Sequence, residues 1–306
     1  MGRIYAVALN TYREAVRDRV LHGVLGCALV VLALALALAE LSLDQQGRVI
    51  FNIGRGSISF FAVIMATFLG SSLLHKEIER KTLYVILSRP IRRWEFLLGK
   101  YLGIVLTTTV FVLVMGGAQF AVMAIQAGAP LLLVLGVVSA LCIVLGLALW
   151  KSRDATVAVV PWAIGFLLFF ALVGAGFDVE VELLGASLLL IVFEIAVLTS
   201  VALLFSSFST PFLTGIFTLG IWLVGRDADD MANMPSRTLG PEIKAVLRVL
   251  SEIIPNFNLF FPHRQAFQSG SGFAWGYVAE TAGYGTIYTA LILGVAILIF
   301  RRRDFL

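Results

Sequence analysis

The chain has 306 residues, 59% of them hydrophobic and 14% charged, with a mean hydropathy of +0.96. A water-soluble domain of this length carries roughly a quarter charged residues, so a soluble fold is excluded. Apolar runs of about 20 residues, enough to cross a ~30 Å hydrocarbon core, recur along the chain. They are apolar all round, which also excludes a barrel of alternating strands. The net charge of +4 does not point to nucleic acid, because Arg and Lys fall in short loops beside the apolar runs, as they do in oriented membrane helices.

Residues 1–20 predict an amphipathic helix in the headgroup layer. Ile4, Tyr5, Ala8, Leu9, Tyr12, Ala15, Val16 and Val20 fall on one face, and Asn10, Arg13, Glu14, Arg17 and Asp18 on the other. A signal peptide is the alternative, with an AxA-like site after Leu34, but so long an n-region containing acidic residues does not suit one. Eight apolar spans follow, near 21–39, 56–74, 99–126, 131–150, 155–175, 183–205, 210–225 and 283–301; the one at 210–225 is the shortest. With a cytoplasmic N-terminus, every strongly basic loop lands on the inner side and the acidic Asp178, Glu180 and Glu182 on the outer. The expectation is an all-α polytopic membrane protein, one transmembrane domain over 1–306, with six to eight membrane helices and eight favoured. Both termini are expected in the cytoplasm.

The segment 226–282 is too polar to cross and is read as extracytoplasmic. Within it Ile243, Val246, Leu247, Leu250, Ile253 and Ile254 form an apolar stripe, and Pro255 ends that outer amphipathic helix. Cys27 and Cys142 lie inside apolar runs and offer neither a disulfide framework nor a metal site. His22, His75 and His263 are scattered, and no phosphate-binding loop or HExxH occurs, so the chain is not read as an enzyme. Energy for any driven work must come from another subunit or an ion gradient. No internal repeat supports an inverted-repeat transporter.

Between the second and third spans lies EIERKTLYVILSRPIRRWEFLLGK, from Glu77 to Lys100, with nine charged residues. Glu77 and Lys81 make an i,i+4 pair in the favourable order, and Pro90 breaks one helix and starts another. A helix–break–helix elbow over 75–98, joined stiffly to membrane helices on both sides, can carry a push from a cytoplasmic partner into the bundle. A merely basic loop would satisfy orientation without needing the acidic residues or the patterned break.

This run resembles the first cytoplasmic loop of type-2 ABC export permeases (the ABC-2 family). It is most similar to the branch of multi-copper-enzyme and nitrous oxide reductase maturation permeases. The residues that carry the resemblance are Glu77/Glu79, Arg80, Thr82-Leu83, Leu87-Ser88-Arg89-Pro90-Ile91, Arg92/Arg93 and Leu97 to Lys100. LLFSSFSTP (Leu203 to Pro211), IIPNFNLF (Ile253 to Phe260) and the closing FRRRDFL agree with it. Permeases of this kind usually have six spans, so 131–182 looks like an extra helical pair.

The resemblance implies a bacterial inner-membrane subunit that pairs with a second permease subunit, in a homodimer or heterodimer, and with ABC ATPase subunits. ATP and Mg would be bound by the ATPase, and this chain would hold no cofactor and no metal. Glu77, Glu79, Arg80, Lys81, Thr82, Tyr84, Leu87, Arg89 and Pro90 would be the ATPase-coupling positions, and Ser206, Ser207, Ser209 and Thr210 a second cytoplasmic contact. The family-implied pathway lies along the second and seventh spans, where Asn52, Ser57, Ser59, Thr67, Ser71, Thr214 and Thr218 are the polar groups available; hydroxyls bonded to their own helix backbone are the plainer reading.

Glu194 stands mid-span, where a carboxylate costs a few kcal/mol on insertion scales. It is read either as a structural hydrogen-bond partner for a neighbouring helix or as a functional group. Two other functions stay open: an ion-coupled secondary transporter with Glu194 as proton site, and a membrane assembly or maturation factor without transport. The cargo is not legible, and the Met, His and Cys usage gives copper no help.

Overall fold

A computed structural model describes residues 2–42, 45–79, 92–151, 155–228, 249, 253–262 and 274–302. Among them no strand occurs. The helices are α1 (Gly2–Val16), α2 (Arg19–Glu40), α3 (Gln46–Glu79), α4 (Arg93–Gln126), α5 (Leu131–Lys151), α6 (Ala155–Ala175), α7 (Val181–Ser206), α8 (Pro211–Arg226) and α9 (Ala274–Arg302), with a 3₁₀ turn at Phe257–Phe260. Seven of the described helices, α2 to α7 and α9, are long and apolar enough to cross a membrane. The eighth apolar run forms α8, whose 16 residues reach only about 24 Å. It is therefore short of a ~30 Å core.

The boundaries follow local chemistry. Asp18 caps α2, its carboxylate accepting from the Val20 N–H at 3.0 Å. The expected helix over 1–20 is thus two helices, and Val20 belongs to the second. Gly128, at φ +103, ends α4 in the left-handed conformation, with the Ala129 N–H donating to the Ala124 carbonyl at 2.9 Å. This is the closing arrangement that glycine favours, and Pro130 follows it, so the run from 99 to 150 divides there. Pro211, at the first turn of α8, needs no N–H partner in that position.

The chain forms two compact units, Met1–Ala8 with Ala66–Leu102 and Phe193–Leu306, and Leu9–Met65 with Gly103–Val192. In the second unit, Tyr12, Val110 and Ala163 are buried together and Leu9, Leu106, Val159 and Trp162 pack around them. Tyr12 donates from its hydroxyl to the Thr156 carbonyl at 3.0 Å, and burial pushes the phenol up to about 12. Ala8, Thr11, Tyr12 and Ala15 of α1 are thus covered by protein, while Tyr5, expected on the same apolar face, is two-thirds exposed. The α5–α6 pair packs as a hairpin, and Trp162 donates to the Leu141 carbonyl at 2.9 Å. Gln119 of α4 donates to the Ile50 and Phe51 carbonyls of α3 at 3.2 and 3.3 Å, and Gln126 pairs with the Gln46 side chain.

In the first unit, α3 and α7 meet at Gly70 and Ala202. A methyl group built on Gly70 would stand 2.6 Å from the Ala202 Cβ. Helices in an apolar medium gain their association from such close backbone approach. Gly70→Val should therefore cost about 1–3 kcal/mol of overpacking. We expect the thermal unfolding midpoint of the purified protein to fall by several degrees and to recover in part when Ala202→Gly is added. An unchanged midpoint in the single variant would contradict the contact.

Candidate functional site

The polar centre of the first unit is built from two helices joined by a four-residue turn. α7 ends at Ser206, residues 207–210 turn the chain, and α8 starts at Pro211. Such a short connection makes the two helices antiparallel neighbours. Reflection about Phe208 places Glu194 beside Trp222, and the side chains meet as that register demands. The Trp222 indole N–H donates to Glu194 Oε1 at 2.8 Å, and Arg226 Nη1 donates to the same oxygen at 2.9 Å. Glu194 is fully buried, and the Arg226 side chain is about a quarter exposed.

The cation has further support. Its guanidinium lies 4.1 Å from the centroid of the Phe261 ring and 5.5 Å from that of Trp222. It also sits in the last turn of α8, where the helix dipole favours a positive charge. Beside it Gly225 lies against the Pro255 carbonyl and the Phe257 ring, a space no side chain could share. The segment 253–262 is in turn held by three tyrosines of α9. Tyr277 donates to the Leu259 carbonyl at 2.6 Å, Tyr288 donates to the Ile253 carbonyl at 2.5 Å, and the Tyr284 hydroxyl accepts the Asn256 N–H at 2.9 Å. One chain of contacts therefore runs from α7 through α8 and the 253–262 segment to α9.

Thr214, Thr218, Trp222 and Gly225 form the buried face of α8. Thr218 donates to the Thr214 carbonyl at 2.7 Å, Ser71 to the Phe68 carbonyl at 3.0 Å and Ser57 to the Gly54 carbonyl at 2.8 Å. These hydroxyls bond within their own helices. Ser59 and Thr67 are buried too, whereas Asn52 is exposed. Thr67, Ser71, Thr214, Thr218 and Glu194 belong to the first unit, and Asn52, Ser57 and Ser59 to the second.

In the turn after α7, Ser206 and Ser207 are buried, with Ser207 donating to the Leu204 carbonyl at 2.6 Å. The surface of that turn is formed by Phe208 and Thr210 rather than by those two serines. Ser209 is intermediate. Glu77 and Glu79 lie on the final turns of α3, while Arg80, Lys81, Thr82, Tyr84, Leu87, Arg89 and Pro90 fall outside the described residues. Among the described residues, no cluster of His, Cys, Asp or Glu could hold a metal ion.

Sequence reasoning missed Trp222 and Arg226. The signal was present, because Thr214, Thr218, Trp222 and Arg226 recur at intervals of four along one helix face. Arg226 instead reads as the first residue of an outer loop.

The sequence matches the family model described as ABC-2 family transporter protein over residues 5–305, nearly the whole chain. The chain belongs to the ABC-2 transporter family. Comparison with curated proteins gives no match. The permease is thus a multi-pass membrane component of an ABC transporter, and membership implies an ABC ATPase as its partner.

In the permease, losing Arg226 would leave a buried carboxylate without its cation, which typically costs about 3–5 kcal/mol. We expect Arg226→Ala to unfold at markedly lower temperature than the double variant Glu194→Gln/Arg226→Gln, in which neutral amides keep hydrogen bonding. Equal midpoints would show that the ion pair carries no special weight.

Proposed function

We propose that the permease is the membrane half of an ATP-driven exporter of the bacterial inner membrane. In this reading a separate ATPase binds ATP and Mg and closes on nucleotide. It pushes the elbow over 75–98 and so alternates access to a pathway shared with a second permease subunit. The family match over residues 5–305 carries this reading. The charged pattern from Glu77 to Lys100 supports it, because the helix–break–helix elbow that this sequence predicts would give an ATPase a lever on the bundle. The kinship to the maturation branch rests on the same loop residues, and we propose it on that ground alone.

The pathway would draw on α3 and α8, whose buried hydroxyls and aliphatic side chains suit an amphipathic cargo better than a bare ion. An ion-coupled mechanism has less support: the carboxylate it would use is engaged by both Trp222 and Arg226.

Affinity isolation of the full chain from its native host tests this. An ATPase should co-purify, and the paired charge reversal Glu79→Lys/Arg80→Glu should reduce its recovery and ATP turnover at least fivefold while the permease stays in the membrane. Transport by the lone chain in liposomes without ATP, or undiminished ATPase recovery with the reversed charges, would overturn the reading.

A further inference from the structure

The first two turns of α4, where the elbow runs into the helix beyond the ATPase-coupling positions Glu77 to Pro90, make more contacts than their own helix requires. The Arg92 N–H donates to Glu95 Oε2 at 2.9 Å, a capping contact that starts the helix. The same oxygen lies 4.0 Å from Arg3 Nη1 of α1. Gly99 sits so close to α1 that a methyl group there would stand 2.6 Å from the Val7 Cβ and 3.1 Å from the Ile4 carbonyl oxygen.

On α9, Arg93 Nη1 donates to the Arg301 carbonyl at 3.0 Å and to the Phe300 carbonyl at 3.5 Å. Phe96 stacks on Phe300 with centroids 6.4 Å apart and rings tilted by 16°, and Lys100 lies 5.8 Å from the Phe96 centroid. Phe96, Lys100 and Phe300 are all buried. These residues belong to one compact unit.

The sign of the charge identifies what Arg93 is for. A cation in the first turn of a helix opposes that helix's own dipole, whereas a cation on the last carbonyls of a helix is favourable. Arg93 is in the wrong place for α4, and its guanidinium reaches instead across to α9. There it supplies charged donors to the Phe300 and Arg301 carbonyls of the last described turn.

We propose that Arg93 is a positioning residue for energy coupling, fastening the C-terminal end of α9 to the elbow. The proposal rests on the elbow being the ATPase contact. Movement of the elbow then displaces α9 as well as the two helices covalently joined to it, α3 and α4. Without Arg93 the elbow would still move α4, and α9 would lag.

The test uses the complete permease–ATPase complex in nanodiscs, with Cys27 and Cys142 replaced by Ala. A single bimane reporter is placed at Leu102 of α4 or at Leu298 of α9, both exposed positions. Trapping ATP with vanadate should change the emission of both reporters. In Arg93→Gln the Leu102 response should persist while the Leu298 response falls at least fivefold, with ATPase recovery unchanged. Arg93→Lys, which still offers donors to the carbonyls, should restore at least half of it.

Phe96→Leu, which removes the ring stack and leaves the charges, should produce the same split in milder form, and serves if Arg93→Gln does not fold. An unaltered Leu298 response in Arg93→Gln, joint loss of both responses, or a Lys variant no better than Gln would overturn the proposal. Silence of both reporters in the unsubstituted complex would instead remove the ATPase reading beneath it.

Discussion

A carboxylate in the middle of an apolar helix must be neutralised by something on a neighbouring helix, and Glu194 sets that demand for the permease. It is the fourteenth residue of the 26 in α7, so either end of the helix is roughly 18–20 Å away. Water at the membrane surface is therefore not its partner. The ion pair with Arg226 meets the demand only if the last turn of α8 stands level with the middle of α7. That requirement fixes the register of the whole hairpin, and it explains why a 16-residue helix can be held firmly. Once the end of α8 is placed, Gly225 accepts the Pro255–Phe257 backbone and the tyrosines of α9 complete the assembly. Non-helical backbone such as 253–262 is tolerated near lipid only where protein covers it and its polar groups find partners. Tyr277, Tyr284 and Tyr288 provide those partners.

Apolar association alone does not specify such an arrangement, because lipid tails are as apolar as the helix surfaces they replace. Specificity comes from shape and from the few polar groups. Gly70 against Ala202 and Gly99 against Val7 each bring two helices closer than larger side chains would permit. In the second unit Gln119 binds two carbonyls of α3, a directional contact that fixes how α4 lies along it. Most hydroxyls do something more modest, bonding back to their own helix as at Ser57, Ser71 and Thr218. Groups already satisfied in this way add little attraction for a polar cargo.

Much of this was legible in the sequence. Runs of 20 or more apolar residues have one stable solution in a bilayer, so helix class and most spans followed from composition and length. The division at Pro130 was weakly marked, because the signal was a single Gly-Ala-Pro; the left-handed Gly128 shows why it suffices. Helix ends were less legible. α3 begins at Gln46 and α9 at Ala274, about ten residues before the apolar runs begin. Hydropathy marks where lipid starts, not where a helix does. Amphipathicity in residues 1–20 says that a face is apolar but not what covers it, and around Tyr12 of α1 that cover is protein. Glu194 could be singled out from one residue, whereas Arg226 required the reflection about the 207–210 turn. Arg93 was hidden among other basic residues of a loop whose charge had an adequate explanation already.

The burial of the helices argues separately for where the permease works. In their most apolar windows α3, α4 and α7 are 61–67% buried, whereas α5 is 6% and α6 22% buried. Yet α5 has the highest hydropathy of the seven, 2.9. In water the most apolar helix should be the most covered, since each Å² of apolar surface removed from solvent contributes about 25 cal/mol. So exposed an α5 is what a lipid solvent permits, because apolar exposure there has no such cost, whereas α7, at a hydropathy of 2.7, is covered where it has a polar group to satisfy. Glu194 and Gln119 lie on α7 and α4, two of the covered helices, and both are fully buried. α5 shows Leu132, Ile143, Leu147 and Trp150 on its outer surface. Within its own unit the α5–α6 hairpin thus carries an apolar surface that lipid accepts.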